Sequence, residues 1–369
     1  MKKMLLFAAV SAIALTGCVN EDFNYEQPEN QPQLMRFDAP VMKQTRANIV
    51  GEISGVKYPA AENFIVFCKS YTGSFKGWTN SDDVTDYFKS NGDTVRNESY
   101  MTPELVDSKY WVTDSAYIWP AKSYNLAFAA YSPAKLITEP TSIEHTEKGL
   151  QITGFHTEED ANKQYDLMYT SRKYDMNSLT NGNAAVPLVF HHALSSIVFS
   201  SQKSDINAEY HIDSVKINGD FIQTADFDQN IDETSNLEEG DAMWSFNPAS
   251  ASNITYEPNF PSFNVPSAAP AQFTSGTSAL LLIPQDVPDN ATVTVYYKMN
   301  GMEAEETIEL KKFTYDNGGT PTTIDTWEKG IRYVYRIAFG KNERIYFEPS
   351  VTDWVQHTTL IYTINNVSN

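Results

Sequence analysis

Apolar and polar positions alternate along most of this chain. In LMRFDAPV, Met35, Phe37, Ala39 and Val41 fall on one face and Leu34, Arg36 and Asp38 on the other. That period of two is the mark of a half-buried strand. The same reading predicts strands in FIVFCKSY, YWVTDSAYIW, YNLAFAAYS, YDLMYTS and VPLVFHHALSSIVFSS. Further along it predicts them in YHIDSVKING, SALLLIPQ, TVTVYYKM, ETIELKKF, RYVYRIAFG, RIYFEPSV and TTLIYTI. No stretch of helical period is long enough to compete, so short helices are expected only in loops such as Ser81 to Ser90. Many short strands at irregular spacing predict an all-β fold of two tandem β-sandwich domains. The least structured join is SQKSDINAE after Ser200, which divides the body into residues 47–200 and 201–369.

The front of the sequence reads differently. Lys2 and Lys3, the apolar run Met4 to Leu15 and the small residues that follow have the layout of a secretory signal over residues 1–17. The run is too short to cross a bilayer, which takes about 20 apolar residues. Leu15, Thr16, Gly17 and Cys18 resemble a bacterial lipobox, so Cys18 is the expected lipidation site and the outer membrane the expected anchorage. Residues 18–46 then form a polar, proline-containing tether and a leader that carries the first predicted strand. With Cys18 acylated, Cys68 is left without a disulfide partner; within an apolar strand it reads as a buried small hydrophobe.

Charge narrows the partners. The protein has 27 Lys+Arg against 47 Asp+Glu, a formal net charge of −20, which becomes −22 when Lys2 and Lys3 leave with the signal. Such a field disfavours nucleic acid and anionic lipid surfaces. Glu21 and Asp22, just after Cys18, resemble an acidic export signal for surface lipoproteins.

Catalytic patterns are missing: the sequence contains no G-x-S-x-G, Walker loop, H-E-x-x-H or C-x-x-C. His192 is in phase with Leu188, Phe190 and Leu194 and reads as a hydrogen-bonded sandwich histidine. In DFDQNIDE, Asp226, Asp228, Asn230 and Asp232 alternate as in a calcium loop, but Ile231 stands where the loop needs Gly and Leu237 where it needs Glu. The stretch is therefore expected to be a solvated acidic loop. Asp114-Ser115-Ala116 and Asp213-Ser214-Val215 fit a short bacterial O-glycosylation pattern. No catalytic residue, metal or cofactor is expected.

Several strands carry words that together resemble the fimbrillin (Mfa-like) family of type V pilus subunits. They are Trp119-Pro120 with Phe128, Ala130, Tyr131 and Pro133; YDLMYTS; Leu188, Phe190, His192, Ala193, Leu194 and Ser195; LLLIPQ; and Gly330, Tyr333 and Tyr335 followed by Val351, Asp353 and Trp354. YDLMYTS departs from the family word by having Thr170 where Ala is usual. The resemblance implies two transthyretin-like sandwiches, of the Ig-like topology class, in a lipoprotein subunit of surface fimbriae. It also implies that a trypsin-like protease cuts after an N-terminal arginine, for which Arg46 before Ala47 is the matching position. Other fimbrial subunits, joined by β-strand addition, are the implied partners. Beyond Trp354, Leu360, Tyr362 and Ile364 alternate with polar or outward positions; the tail is either a strand donated to a neighbour or the last strand of its own domain. A membrane-anchoring or tip subunit that keeps its lipid, and a monomeric surface lipoprotein binding glycan or a host ligand, are the alternative readings.

Overall fold

The computed structural model describes residues 35–39, 58–73, 81, 83–101, 110–120, 124–136, 140–146, 149–174, 185–229, 243–267, 269–312, 314–317, 320–340 and 345–353. These are all-β, in several sheets. The loop Ser81 to Ser90 is not helical: Val84–Asp86 is a strand paired with Lys69–Tyr71, and the one α-helical turn among the described residues is Glu98–Met101. The predicted strands at 64–71, 125–132, 195–203, 210–221, 292–299 and 331–339 are present.

A nine-stranded sheet takes up most of the first half. Its path runs Val186–Pro187, Phe37–Asp38, Trp111–Thr113, Asp93–Asn97, Phe64–Tyr71, Asn125–Ser132, Met168–Tyr174 and His191–His192, with Val84–Asp86 off the path. The apolar side chains of Phe64, Val66, Cys68, Phe128 and Ala130 line one core with Phe37. The second half has two five-stranded sheets. One joins Ser252–Tyr256, Tyr210–Phe221, Thr292–Met299 and Met302–Glu309, with Phe263–Asn264 beside Tyr210–Phe221. The other joins Ala271–Gln272, Ser195–Lys203, Ile331–Phe339 and Ile345–Asp353, with Leu280–Leu282 beside Ser195–Lys203. Between them lies a second core that includes Phe199, Tyr256, Trp327 and Tyr335. Thr292–Met299 turns into Met302–Glu309 through Asn300 and Gly301, both at positive φ, as a two-residue hairpin requires.

A four-stranded sheet belongs to both halves. Ser142–Thr146 and Gly149–His156 come from the first; Thr224–Asp228 and Met243–Ser245 come from the second. Asp226 to Asp228 therefore lie in a strand, not in a solvated loop; the remainder of DFDQNIDE after Gln229 lies outside the described residues. The Asp226 carboxylate accepts the Gly154 N–H at 2.7 Å. Gly154 sits at φ +71, beside the register shift between Ala225 and Phe227, and a Cβ there would meet the Thr141 hydroxyl at 2.6 Å. Behind this sheet a third core mixes Phe67, Tyr131, Ile152 and Tyr169 with Ala225, Phe227, Leu281 and Ile283. Further ties between the halves are Trp244 Nε1 to the Ala193 carbonyl (2.6 Å), Leu281 N–H to Gln164 Oε1 (2.6 Å) and Lys329 Nζ to the Tyr169 hydroxyl (2.7 Å). Ser195–Lys203 runs unbroken across position 200, in parallel register with Arg332–Phe339.

Two buried titrating groups have opposite effects on stability. The Glu62 carboxyl is 6% exposed, has an oxygen with no hydrogen-bond partner among the described residues, and is pushed by burial from 4.5 to about 7. His145, stacked on Phe67 at 4.5 Å, is lowered by burial, with a contribution from Lys69, from 6.5 to about 3. Since the folded pKa of Glu62 lies above its unfolded value, its contribution is full below pH 4.5 and is lost as pH rises through 7. The contribution of His145 is present above pH 6.5 and is lost as pH falls toward 3. Replacing Glu62 by Gln is expected to widen the variant's stability advantage over the parent between pH 4.5 and 7, by up to about 1.4 kcal/mol per pH unit. Urea unfolding midpoints across that range measure the gap, and a gap independent of pH contradicts the assignment.

Candidate strand-exchange site

The segment Met35–Ala39 is inserted into the nine-stranded sheet. Its burial alternates as the sequence pattern requires: Met35, Phe37 and Ala39 are 2%, 0% and 1% exposed, while Arg36 and Asp38 are half-buried. The strand Phe37–Asp38 runs parallel to Val186–Pro187 on one side and antiparallel to Trp111 on the other. Its carbonyls take the remaining donors of the slot: Arg36 O from Val186 N–H at 2.8 Å, Asp38 O from Leu188 N–H at 2.7 Å, and Ala39 O from Tyr58 N–H at 3.0 Å. Met35 N–H donates to the Tyr117 carbonyl at 2.8 Å.

Aromatic rings form the floor. Phe37 meets Phe128 edge-on at 5.7 Å and Phe64 and Phe88 edge-on at 6.4 Å each. Tyr58 closes the same pocket over Phe64 (5.3 Å), Trp111 (5.9 Å) and Phe190 (5.2 Å). Its hydroxyl reaches the Ser132 hydroxyl at 2.7 Å and the Asn63 carbonyl at 3.1 Å, and burial holds the phenol protonated far above its ordinary range. At the rim, the Arg36 guanidinium pairs with Glu98 at 2.8 Å and lies over the Tyr110 ring at 5.8 Å. These groups position an extended peptide; they supply no nucleophile, no acid–base pair and no cation ligand set. Among the described residues, no group of three or more His, Cys, Asp or Glu could hold a metal ion.

Of the positions predicted from sequence, Cys18, Arg46, Ala47, Leu360, Tyr362 and Ile364 lie outside the described residues, as does Val41 at the end of the first predicted strand. Cys68 is buried, and its thiol is pushed well above its usual range by burial. His192 Nδ1 lies 2.9 Å from the Asp166 carboxylate, both interior. Asp114 is held by Arg96 at 2.7 and 3.1 Å, and Asp213 by Lys298 at 3.2 Å and the Ser262 hydroxyl at 3.0 Å. The slot residues that sequence reasoning missed are Tyr58, Glu98 and the pair Val186 and Leu188 acting through their N–H groups. Val186 and Leu188 were visible as strand, but nothing in their pattern said which strand they flank.

The described residues form an all-β fold in which one extended segment is held in an aromatic-floored slot. The model of the family described as fimbrillin-like matches residues 72–354, and the chain belongs to that family. A fimbrial protein from Bacteroides vulgatus ATCC 8482 superposes with TM-score 0.50 at 15% identity, covering 87% of this chain and 99% of the other. A proposed cell-adhesion protein from Bacteroides uniformis ATCC 8492 gives TM-score 0.48 at 14% identity, covering 87% and 99%. No curated protein matches the chain. Family membership makes this a cell-surface pilus subunit, with other fimbrial subunits as its partners, and not an enzyme.

Truncating Phe37 to Ala is expected to destabilise the fold by about 3 to 5 kcal/mol, as for other buried phenylalanines. Arg36 is about a third exposed, and Arg36→Ala is expected to cost no more than about 1 kcal/mol. Chemical denaturation of the two variants checks the ordering, which reverses if the segment is held by its rim rather than by its floor.

Proposed function

We propose that this pilus subunit is exported as a lipoprotein, acylated at Cys18 after removal of residues 1–17, and matured by cleavage between Arg46 and Ala47. The observation that carries the reading is Met35–Ala39 in its slot: an interior strand whose three inward side chains are almost wholly buried and whose backbone is bonded on both sides. Cleavage at Arg46 would break the backbone just beyond this strand and free it to leave. Its departure would uncover aromatic floor and leave the N–H groups of Tyr58, Val186 and Leu188 without their acceptors. Unpaired edge of this kind is a template for strand addition.

The tail offers a matching occupant. Leu360, Tyr362 and Ile364 repeat at the i, i+2, i+4 spacing of Met35, Phe37 and Ala39, with apolar side chains at all three places. Burying three such groups at about 1.5 to 3 kcal/mol each supplies several kcal/mol toward subunit association before ordering costs. In this reading residues 47–200 and 201–369 correspond to two tandem transthyretin-like sandwiches. A join just before Ser195 would keep Ser195–Lys203 whole.

Two measurements test the scheme. N-terminal sequencing of surface-sheared fimbriae is expected to begin at Ala47, and Arg46→Ala is expected to abolish polymer while leaving acylated monomer in the membrane. Polymer retaining acylated Cys18 overturns the cleavage step and identifies an anchor. Truncation after Trp354 is expected to leave a folded, cleavable subunit that does not polymerise; loss of the fold instead assigns the tail to its own domain.

A further inference from the structure

A second concave surface lies on the other half of the molecule, away from the slot. It is a groove of about 610 Å³ at the seam between the shared four-stranded sheet and the short ladder Gln285–Asp286 with Thr326–Trp327. Trp244, Phe246 and Pro284 form its apolar wall. Trp244 is held from behind by Phe155 at 5.3 Å, Phe227 at 5.2 Å and the Ala193 carbonyl, which fixes the orientation of its ring. Asp220, Asp286 and Glu328 stand exposed around it. None of these three carboxylates forms an ion pair within 4 Å with another described residue; Asp286 lies in the field of Lys311, whose own partner is Asp289. The one cation in the lining, Lys329, is turned to first-half Tyr169, whose hydroxyl it meets at 2.7 Å and whose ring it covers at 5.3 Å. Asp286 is set in place by the Thr326 hydroxyl at 2.7 Å.

The wall also includes a strand edge. Met243–Ser245 ends the four-stranded sheet and, among the described residues, pairs on one side only, with Asp226–Asp228. A fixed aromatic surface, three exposed carboxylates and an open ladder side meet in one groove. The geometry points to a binding site for an extended, basic segment of another polypeptide, in which Lys or Arg alternates with apolar residues. The segment adds to the Met243–Ser245 edge, sets its apolar side chains against Phe246 and Pro284, and brings its cations to Asp220, Asp286 and Glu328. Desolvated cations over aromatic faces and close to carboxylates gain from both contacts. The site is independent of the slot around Phe37 and of its cleavage.

Calorimetric titration of the uncut full-length protein, its slot filled by its own leader, tests the assignment. The probes are a blocked peptide of alternating Val and Lys and its Val and Glu counterpart. The Lys peptide is expected to bind and to weaken when salt rises from about 0.05 to about 0.5 M. It is expected to bind about tenfold more weakly to the pair Asp286→Asn with Glu328→Gln and to the single variant Phe246→Ala, each with an unchanged melting temperature. Glu328→Gln alone, at an exposed position, is expected to weaken it several-fold and guards against a folding defect in the others. Equal binding of the Glu peptide, insensitivity to the carboxylate variants, or no binding of the Lys peptide overturns the proposal. So does charge-independent binding of a methyl pyranoside in its place. None of these outcomes bears on cleavage at Arg46, so a failure here is distinguishable from a failure of strand exchange.

Discussion

The structure depends on a strand that has two neighbours. Phe37–Asp38 is not an edge: Val186–Pro187 flanks it on one side and Trp111 on the other. An edge strand can peel away and leave one new edge. An interior strand that leaves creates two, together with the hole where its side chains stood. The unpaired backbone groups and the voided aromatic floor then each cost free energy that water repays only in part. In the proposed exchange the leader would therefore be difficult to remove without replacement, and the site it vacated would favour another strand of the same pattern. Sheet continuity and ring packing act on the same five residues, which makes the slot specific for an alternating segment with a bulky central residue.

What surrounds the slot bears on whether such an exchange can be local. The sheet that closes the first half borrows Thr224–Asp228 and Met243–Ser245 from the second, and the third core contains side chains from both. Gln164 shows how complete the joint is: buried in the first half, its side chain accepts the Leu281 N–H of the second half at 2.6 Å and donates to the Glu158 carbonyl at 2.6 Å. Polar groups buried and satisfied at a seam resist sliding and hinging, because either motion leaves them unpaired. Phe37 and its floor lie in a separate core cluster from these seam residues. In the proposed exchange the leader would leave its own core without breaking the joint between the halves.

The strands with strong alternation or long apolar runs were legible from residues alone, and so was the inward face of Met35, Phe37 and Ala39. Both were readable because the burial of a side chain on one face of a sheet leaves a local trace. Ser142–Thr146 and Gly149–His156 left none, since SIEHT and GLQITGFH interleave polar and small residues at both phases and the strand that Gly149–His156 shares with the second half is some 70 residues away. Val84–Asp86 was hidden for a similar reason: VTD is too short to show a period and pairs only because Lys69–Tyr71 is beside it. Asp226 looked like loop because aspartates are usually solvated; here its carboxylate is the acceptor that a glycine at positive φ presents a donor to. The slot was half visible. Its occupant could be read from periodicity, whereas its walls are set by register between distant strands, which a single sequence does not encode locally.

In the proposed scheme of growth by strand addition, the subunit must also keep copies of itself from pairing at its other open edges. A long exposed edge among the described residues is Met302–Glu309, eight residues paired on one side only with Thr292–Met299. Its backbone is as ready for pairing as any slot, and a flat edge of this length would invite side-by-side association. Glu303, Glu305, Glu306 and Glu309 stand along it, with only Glu303 facing a cation across the ladder, Lys298. A second copy approaching this edge would bring the same carboxylates within about 5 Å of their like, which is repulsive wherever two fall opposite each other. The acidity of the protein is thus not only a matter of solubility. Placed on an edge that is open among the described residues, it disfavours the addition there of a segment as acidic as the protein itself.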